Sequence, residues 1–203
     1  MKIICVGRNY AEHAKELGNA VPEQPVIFIK PDSAVVRNNA DFYYPEFSKD
    51  IHFECELAFR VGKQGKYVQE KYALEYLDGI GLGIDFTARD LQTEAKKKGL
   101  PWTLAKCFNQ SAPLSDFLPM ADFATVQDIH FEMFLNGEKR QIGHSADMIH
   151  SVASLIEYIT KFIIIKKGDV IFTGTPAGVG AVQVGDTLEA YLEGKKMLDF
   201  KVK

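Results

Sequence analysis

Three acidic side chains in this chain have the types and spacing to hold a metal. Glu54 and Glu56 lie two apart in His52-Phe-Glu-Cys-Glu-Leu-Ala-Phe59, a segment that alternates as a β-strand, so both leave the same face. Like charges this close on an apolar strand repel and resist burial. A divalent cation would remove that difficulty. A water-facing strand carries acids without one. Asp85 ends the apolar run Gly81-Leu-Gly-Ile-Asp85, where it supplies a third oxygen ligand or assists the start of the next helix. Arg89 and Gln92 follow, three apart on one helical face, and with the helix N-terminus they would attract a carboxylate. In Arg8-Asn-Tyr-Ala-Glu-His-Ala-Lys-Glu16, His13 and Glu16 stand three apart on a helix. A carboxylate there orients an imidazole and raises its basicity, as general base catalysis requires, although surface Glu–His pairs also occur. Lys106, alone in the apolar Trp102-Thr-Leu-Ala-Lys-Cys-Phe108, either meets a developing negative charge or snorkels to solvent. His52 shares the strand face of Glu54, as a neighbour of the acids or a solvent-facing group.

Other chemistries are excluded by their missing motifs. The Gly-rich Thr173–Gly180 lacks the Lys-Ser/Thr of a phosphate-binding loop and precedes no helix. Neither GxSxG nor HExxH occurs. The cysteines, Cys5, Cys55 and Cys107, are odd in number with no CxxC, which fits free packing thiols in a reducing compartment.

The elements that must position these residues follow from hydropathy and turn residues. Strands are expected at Lys2 to Val6, Val26 to Ile29, Ile51 to Val61, Ile80 to Phe86, Ile129 to Leu135, Ile163 to Ile165, Val170 to Thr173, Thr187 to Leu192 and Met197 to Val202. Helices are expected at Tyr10 to Leu17, Tyr67 to Leu77, from an N-capping Thr87 to Lys98, and Ser145 to Lys161. Gly81 and Gly83 leave one strand face bare for close approach, and Asn136-Gly137 is a hairpin turn. Many short strands with few helices predict a β-dominated α+β fold. At 203 residues, 1–203 is expected to be a single domain. A net charge of −3 without a basic cluster beyond Lys96-Lys97-Lys98, read as a solvated helix face, argues against nucleic acid. No apolar run reaches the roughly 18 residues of a membrane span, and no leader is visible, so a cytoplasmic protein is expected.

Five segments in order, Gly7–His13, His52–Leu57, Asp85–Asp90, Lys97–Lys106 and Thr173–Gly180, resemble the fumarylacetoacetate hydrolase superfamily. The resemblance is to its compact, catalytic-domain-only branch, nearest the acylpyruvase and oxaloacetate decarboxylase members. It implies a mixed β-sandwich roll and a homodimer. It implies Mg²⁺ or Mn²⁺ held by Glu54, Glu56 and Asp85. It makes His13 and Glu16 the catalytic dyad, on a segment that closes over substrate, and it lines the pocket with Arg8, Arg89, Gln92, Lys106 and Thr175.

The substrate so implied is a small 2-oxo acid. Hydrolysis of acylpyruvates leads, with the dyad activating water and Lys106 meeting the oxyanion, beside decarboxylation of oxaloacetate. Keto–enol tautomerisation of oxaloacetate and isomerisation of a 2-hydroxy-dienoate are the alternatives, and a Mg²⁺- and 2-oxo-acid-binding module is the non-enzymatic one.

Overall fold

A computed structural model of the chain describes residues 1–16, 18 and 21–203. The fold is α+β and β-dominated. Its largest sheet has six strands in the order Val26–Pro31, Lys2–Gly7, Val170–Phe172, Cys55–Val61, Leu77–Ile84, Leu118–Pro119. Lys2–Gly7 runs parallel to Val170–Phe172; the other pairings are antiparallel. A second, antiparallel sheet orders Glu138–His144, His130–Leu135, Thr187–Leu192 and Lys195–Lys201. Three short strands, Gly180–Ala181, Ile51–Phe53 and Thr87–Ala88, form a small sheet at the site.

Both faces of the large sheet are covered, and the period-two geometry of a strand shows how. Along Lys2–Gly7, Ile4 and Val6 join the main core, whereas Ile3 and Cys5 join a smaller cluster on the opposite face. Along Cys55–Val61, Leu57 and Phe59 face the main core and Ala58 the other side. The four-stranded sheet supplies Phe131, Leu188 and Leu198 to the main core. The helix Val152–Phe162 lays Val152, Leu155, Ile156 and Ile159 onto it. Gly83 lies opposite Glu56 in the ladder, and a Cβ there would run into the ring of Phe172. The bare strand face read from the glycines is therefore filled by an aromatic side chain.

Several boundaries differ from the sequence expectation. The strand expected at Ile51 to Val61 breaks at Glu54, giving Ile51–Phe53 and Cys55–Val61 in different sheets. The helix after Asp85 starts at Arg89 without a side-chain cap, because Thr87 lies in a strand with its hydroxyl buried. It ends at Lys98, as expected, with Gly99 behind it in the left-handed conformation. Glu70–Tyr76 is a 3₁₀ helix. Ser145–Asp147 is a separate 3₁₀ turn, and the helix behind it begins only at Val152, where Ser151 accepts the cap hydrogen bond from Ser154 N at 3.2 Å. No strand forms at 163–165, where Ile165 makes only an isolated bridge to Gly65. The first helix spans Ala11–Glu16; Leu17, its expected last residue, lies outside the described residues. Among the described residues, no helix is long and apolar enough to cross a membrane.

Candidate active site and metal centre

The break at Glu54 brings the three acids together. Asp85 N donates to Glu54 O at 2.8 Å, clamping the strand break to the end of Leu77–Ile84. Glu54, Glu56 and Asp85 are all buried, and one carboxylate oxygen from each lies within 4.8 Å of the others. Three buried hard-oxygen donors with no thiolate or imidazole suit Mg²⁺ or Mn²⁺. Asp85 Oδ1 adds a second sign of fit. It sits 2.8 Å from Lys30 Nζ, within ion-pair distance, yet it is buried without an aligned hydrogen bond. Lys30 directs its ammonium instead at the carbonyls of Phe86, Lys106 and Ser111 and at the Ser111 hydroxyl. Those acceptors already outnumber its three protons.

The charges around the acids are unequal. Glu54 takes Lys106 Nζ at 2.9 Å and Arg89 Nη2 at 2.6 Å. Burial alone would raise its pKa, but Lys106, Arg89 and His13 outweigh burial and hold the carboxyl well below the usual range. Among the described residues, Glu56 accepts only from Gly174 N, at 2.6 Å. Burial, then the negative charges of Asp85 and Glu54, push its pKa well above the ordinary value. A carboxyl raised in the fold favours the folded state at acid pH, and that stability is lost as pH climbs through the raised value. A cation needs the ionised form. Metal-free protein should therefore lose stability as pH rises above the ordinary glutamate range, compared at pH 6 and pH 8, while metal affinity rises by up to about tenfold per pH unit for one proton released. Thermal melts at both pH values, with and without Mg²⁺, check this. An Mg²⁺-induced shift that is the same at pH 6 and pH 8 would contradict it.

Lys106 also donates to Asp85 Oδ2 and Thr87 Oγ1, each at 2.6 Å. Burial pulls its pKa down, but Asp85 and Glu54 more than compensate, and the ammonium is held protonated. Its three protons meet three protein acceptors, so here it binds the acids together; it does not point a free proton at an incoming oxyanion.

His13 is buried, and its Nδ1 lies 3.2 Å from Glu16 Oε2. Glu16 Oε1 accepts from Gly178 N at 3.0 Å, tying the dyad to the Gly-rich loop. With Nδ1 directed at the carboxylate, Nε2 is the nitrogen left for chemistry. Arg8, His13, Glu54, Arg89, Gln92 and Lys106 line one cavity of about 30 Å³, walled by Phe28 and Trp102. Arg89 Nη1 donates to Gln92 Oε1 at 2.6 Å, as the i,i+3 spacing implies. A larger apolar groove of about 760 Å³ lies beyond Phe28 and Trp102, without the acids or the dyad.

Thr175 does not line the small cavity. Its hydroxyl donates to Cys55 O at 2.7 Å and accepts from Gln141 Nε2 at 2.7 Å. His52 pairs with Asp50 at 2.9 Å and stands apart from the acid cluster. Lys97 and Lys98 are solvated as expected, but Lys96 is half-buried and turned into the cavity. Cys5 and Cys55 are buried free thiols whose pKa values are pushed up, chiefly by burial.

Three positioning residues escaped the sequence reading. Lys30 is a lone charge in the apolar run Val26–Pro31 as Lys106 is in Trp102–Phe108, a signal that could have been used. Asn9 donates to Thr173 O at 2.8 Å and His150 O at 3.0 Å, and accepts from His150 N at 2.8 Å. Gln141 accepts from Cys55 N at 2.9 Å and donates to Pro176 O at 2.9 Å. Both join segments more than 80 residues apart, and no local pattern marks such a residue. Gly174 has φ +97°, and a Cβ there would sit 2.7 Å from Asn9 Cβ, so only glycine brings this amide to Glu56.

Comparison with known proteins identifies a family. Residues 2–203 match the family described as fumarylacetoacetate (FAA) hydrolase C-terminal. The chain is 44% identical over 200 residues to the mitochondrial oxaloacetate tautomerase of Rattus norvegicus, covering 98% of this chain and 90% of the relative. It is 44% identical over 197 residues to oxaloacetate tautomerase YcgM of Escherichia coli, covering 97% and 90%. Among solved structures, fumarylpyruvate hydrolase from Pseudomonas aeruginosa, in complex with Mn²⁺ and pyruvate, superposes with a TM-score of 0.94 at 35% identity, covering 100% of this chain and 89% of that one.

Proposed function

This chain belongs to the fumarylacetoacetate (FAA) hydrolase C-terminal family, and we propose that it is a Mg²⁺- or Mn²⁺-dependent enzyme acting on small 2-oxo acids, foremost by interconverting the keto and enol forms of oxaloacetate. The observation that carries this reading is the shared cavity: three buried acids, a His–Glu dyad and an Arg–Gln pair line or adjoin one small space. The two curated relatives move tautomerisation, set second by the sequence, ahead of acylpyruvate hydrolysis and decarboxylation. Hydrolysis is kept as the second reading because the fumarylpyruvate hydrolase shares the fold over the whole chain.

Glu54, Glu56 and Asp85 would hold the cation, with Lys106 and Lys30 fixing the carboxylates. A divalent cation there supplies Lewis-acid chemistry, drawing charge from the 2-oxo group. Arg89 and Gln92 hold the substrate carboxylate, a role suited to a guanidinium. Glu16 orients His13, whose Nε2 takes a proton from C3 of oxaloacetate; return of that proton to the 2-oxo oxygen completes the enol. Phe28 and Trp102 keep bulk water from the reacting carbon.

Incubation with oxaloacetate, an acylpyruvate and a 2-hydroxy-dienoate, each with Mg²⁺ or with EDTA, tests this. Mg²⁺-dependent loss of enol absorbance with oxaloacetate, faster than any acid release from the acylpyruvate, is expected. Faster metal-dependent acid release would install the second reading, and no metal-dependent turnover would leave only a binding module. A single catalytic unit over 1–203, a homodimer and a cytoplasmic site of action belong to the same reading, although the rat relative's name is mitochondrial.

A further inference from the structure

The cavity carries more positive charge than its acids require. Lys30, Lys106 and Arg89 are each paired with Glu54 or Asp85. Arg8 and Lys96 line the same cavity, and neither meets a carboxylate within ion-pair distance among the described residues. Lys96 continues the helical face of Arg89 and Gln92, at seven and four residues' spacing, so one side of the Arg89–Lys98 helix aims all three inward. Its ammonium lies 5.6 Å from the centroid of the Trp102 ring, and the Arg8 guanidinium lies 5.9 Å from the same centroid. Burial, then Arg8 and Arg89, lower the Lys96 pKa, as expected of a cation crowded by cations.

A lysine lying on a tryptophan to shield its stem would explain Lys96 alone. It does not explain Arg8. That residue holds φ +60°, a left-handed conformation that costs a non-glycine residue energy. Its Nε is buried without a hydrogen-bond partner, as is Arg89 Nε. Unsatisfied cationic donors from two separate elements therefore face one space. An anion there would satisfy them.

We propose that Lys96 and Arg8, gathered on Trp102, form a subsite for a second carboxylate of the substrate. The metal centre with Arg89 and Gln92 takes the 2-oxo acid end, and this subsite takes the far end. The ligand class is then a short 2-oxo dicarboxylate, a dianion, in preference to a 2-oxo acid with a neutral tail. This rests on the oxaloacetate reading above and goes beyond it by assigning Lys96, beside Arg8, to the distal carboxylate that substrate carries.

The test compares wild type with Lys96→Met, which keeps a flexible apolar stem on Trp102, and with Lys96→Arg. Three probes are used with Mg²⁺: oxaloacetate, its 4-methyl ester, which lacks the distal charge, and oxalate, which has only the metal-facing end. Lys96→Met should raise KM for oxaloacetate about tenfold with kcat within about threefold, and Lys96→Arg should restore most of it. KM for the ester and the calorimetric Kd of oxalate should move less than about twofold. An unchanged KM for oxaloacetate, or an equal loss for all three probes, would overturn the subsite. If wild type itself binds no oxalate, the 2-oxo acid reading falls and the subsite with it. Wild type that binds oxalate beside an indifferent Lys96→Met overturns the subsite alone.

Discussion

His13→Ala should lower oxaloacetate turnover by about 10²–10⁴-fold, the span a positioned general base contributes. KM and Mn²⁺ affinity should change little. The reason lies in what the side chain touches. His13 is buried at the cavity, its Nδ1 engages Glu16 3.2 Å away, and it is not among the three carboxylates that could hold the metal. Removing it takes away the proton acceptor and leaves the acids in place. Glu16→Gln should lose a comparable amount, because an amide whose oxygen still accepts from the Gly178 N–H turns its NH₂ toward Nδ1 and favours the tautomer with the proton on Nε2. Steady-state kinetics beside a Mn²⁺ titration separate these effects. Wild-type turnover in His13→Ala would remove the dyad from the mechanism, whatever the metal does.

Asp85→Asn should unfold more readily and lose the metal together. Asp85 is fully buried, 2.8 Å from Lys30 Nζ through Oδ1 and 2.6 Å from Lys106 Nζ through Oδ2. Neutralising it leaves Lys30, among the described residues, without a carboxylate partner, and Lys106 with Glu54 alone, whose charge Arg89 already shares. Breaking a buried ion pair from one side costs about 3–5 kcal/mol. Metal affinity should fall roughly a hundredfold or more, since one of three anionic ligands is gone. Urea denaturation and a Mn²⁺ titration on the same preparation check both. Adding Lys30→Met should make the double variant less unstable than the sum of the single losses, because one stranded charge leaves with its partner. Full stability in Asp85→Asn would show that the buried charges are not coupled through Asp85.

Much of this site could be read from residue spacing because it is built from local patterns. Glu54 and Glu56 sit two apart at a strand start, His13 and Glu16 share one helical turn, and Arg89 and Gln92 share another. Each pair could be proposed alone. Their convergence could not, since it depends on ladder pairings such as Glu56 with Gly83, fixed by the tertiary fold. The β-dominated class was equally legible from many short alternating runs. Thr87 looked like a helix cap by type, but Lys106 claims its hydroxyl across the site. The Ile51 to Val61 run looked continuous because its apolar alternation is, yet Glu54 leaves the ladder to reach Lys106 and Arg89. Lys96 looked solvated because its neighbours in sequence are, whereas helical periodicity turns that one lysine of three inward. In the first two cases a long-range polar contact overrode a sound local preference, whereas Lys96 follows the periodicity of its own helix.

The claim on which the rest depends is that Glu54, Glu56 and Asp85 together hold one divalent cation. Electron paramagnetic resonance of Mn²⁺ titrated into wild type and Glu56→Gln measures it without reference to any substrate. One Mn²⁺ per chain, displaced by Mg²⁺ and weakened roughly a hundredfold in Glu56→Gln, is the result required. Equal Mn²⁺ binding by the two proteins, or none by wild type at pH 8, would contradict the metal centre.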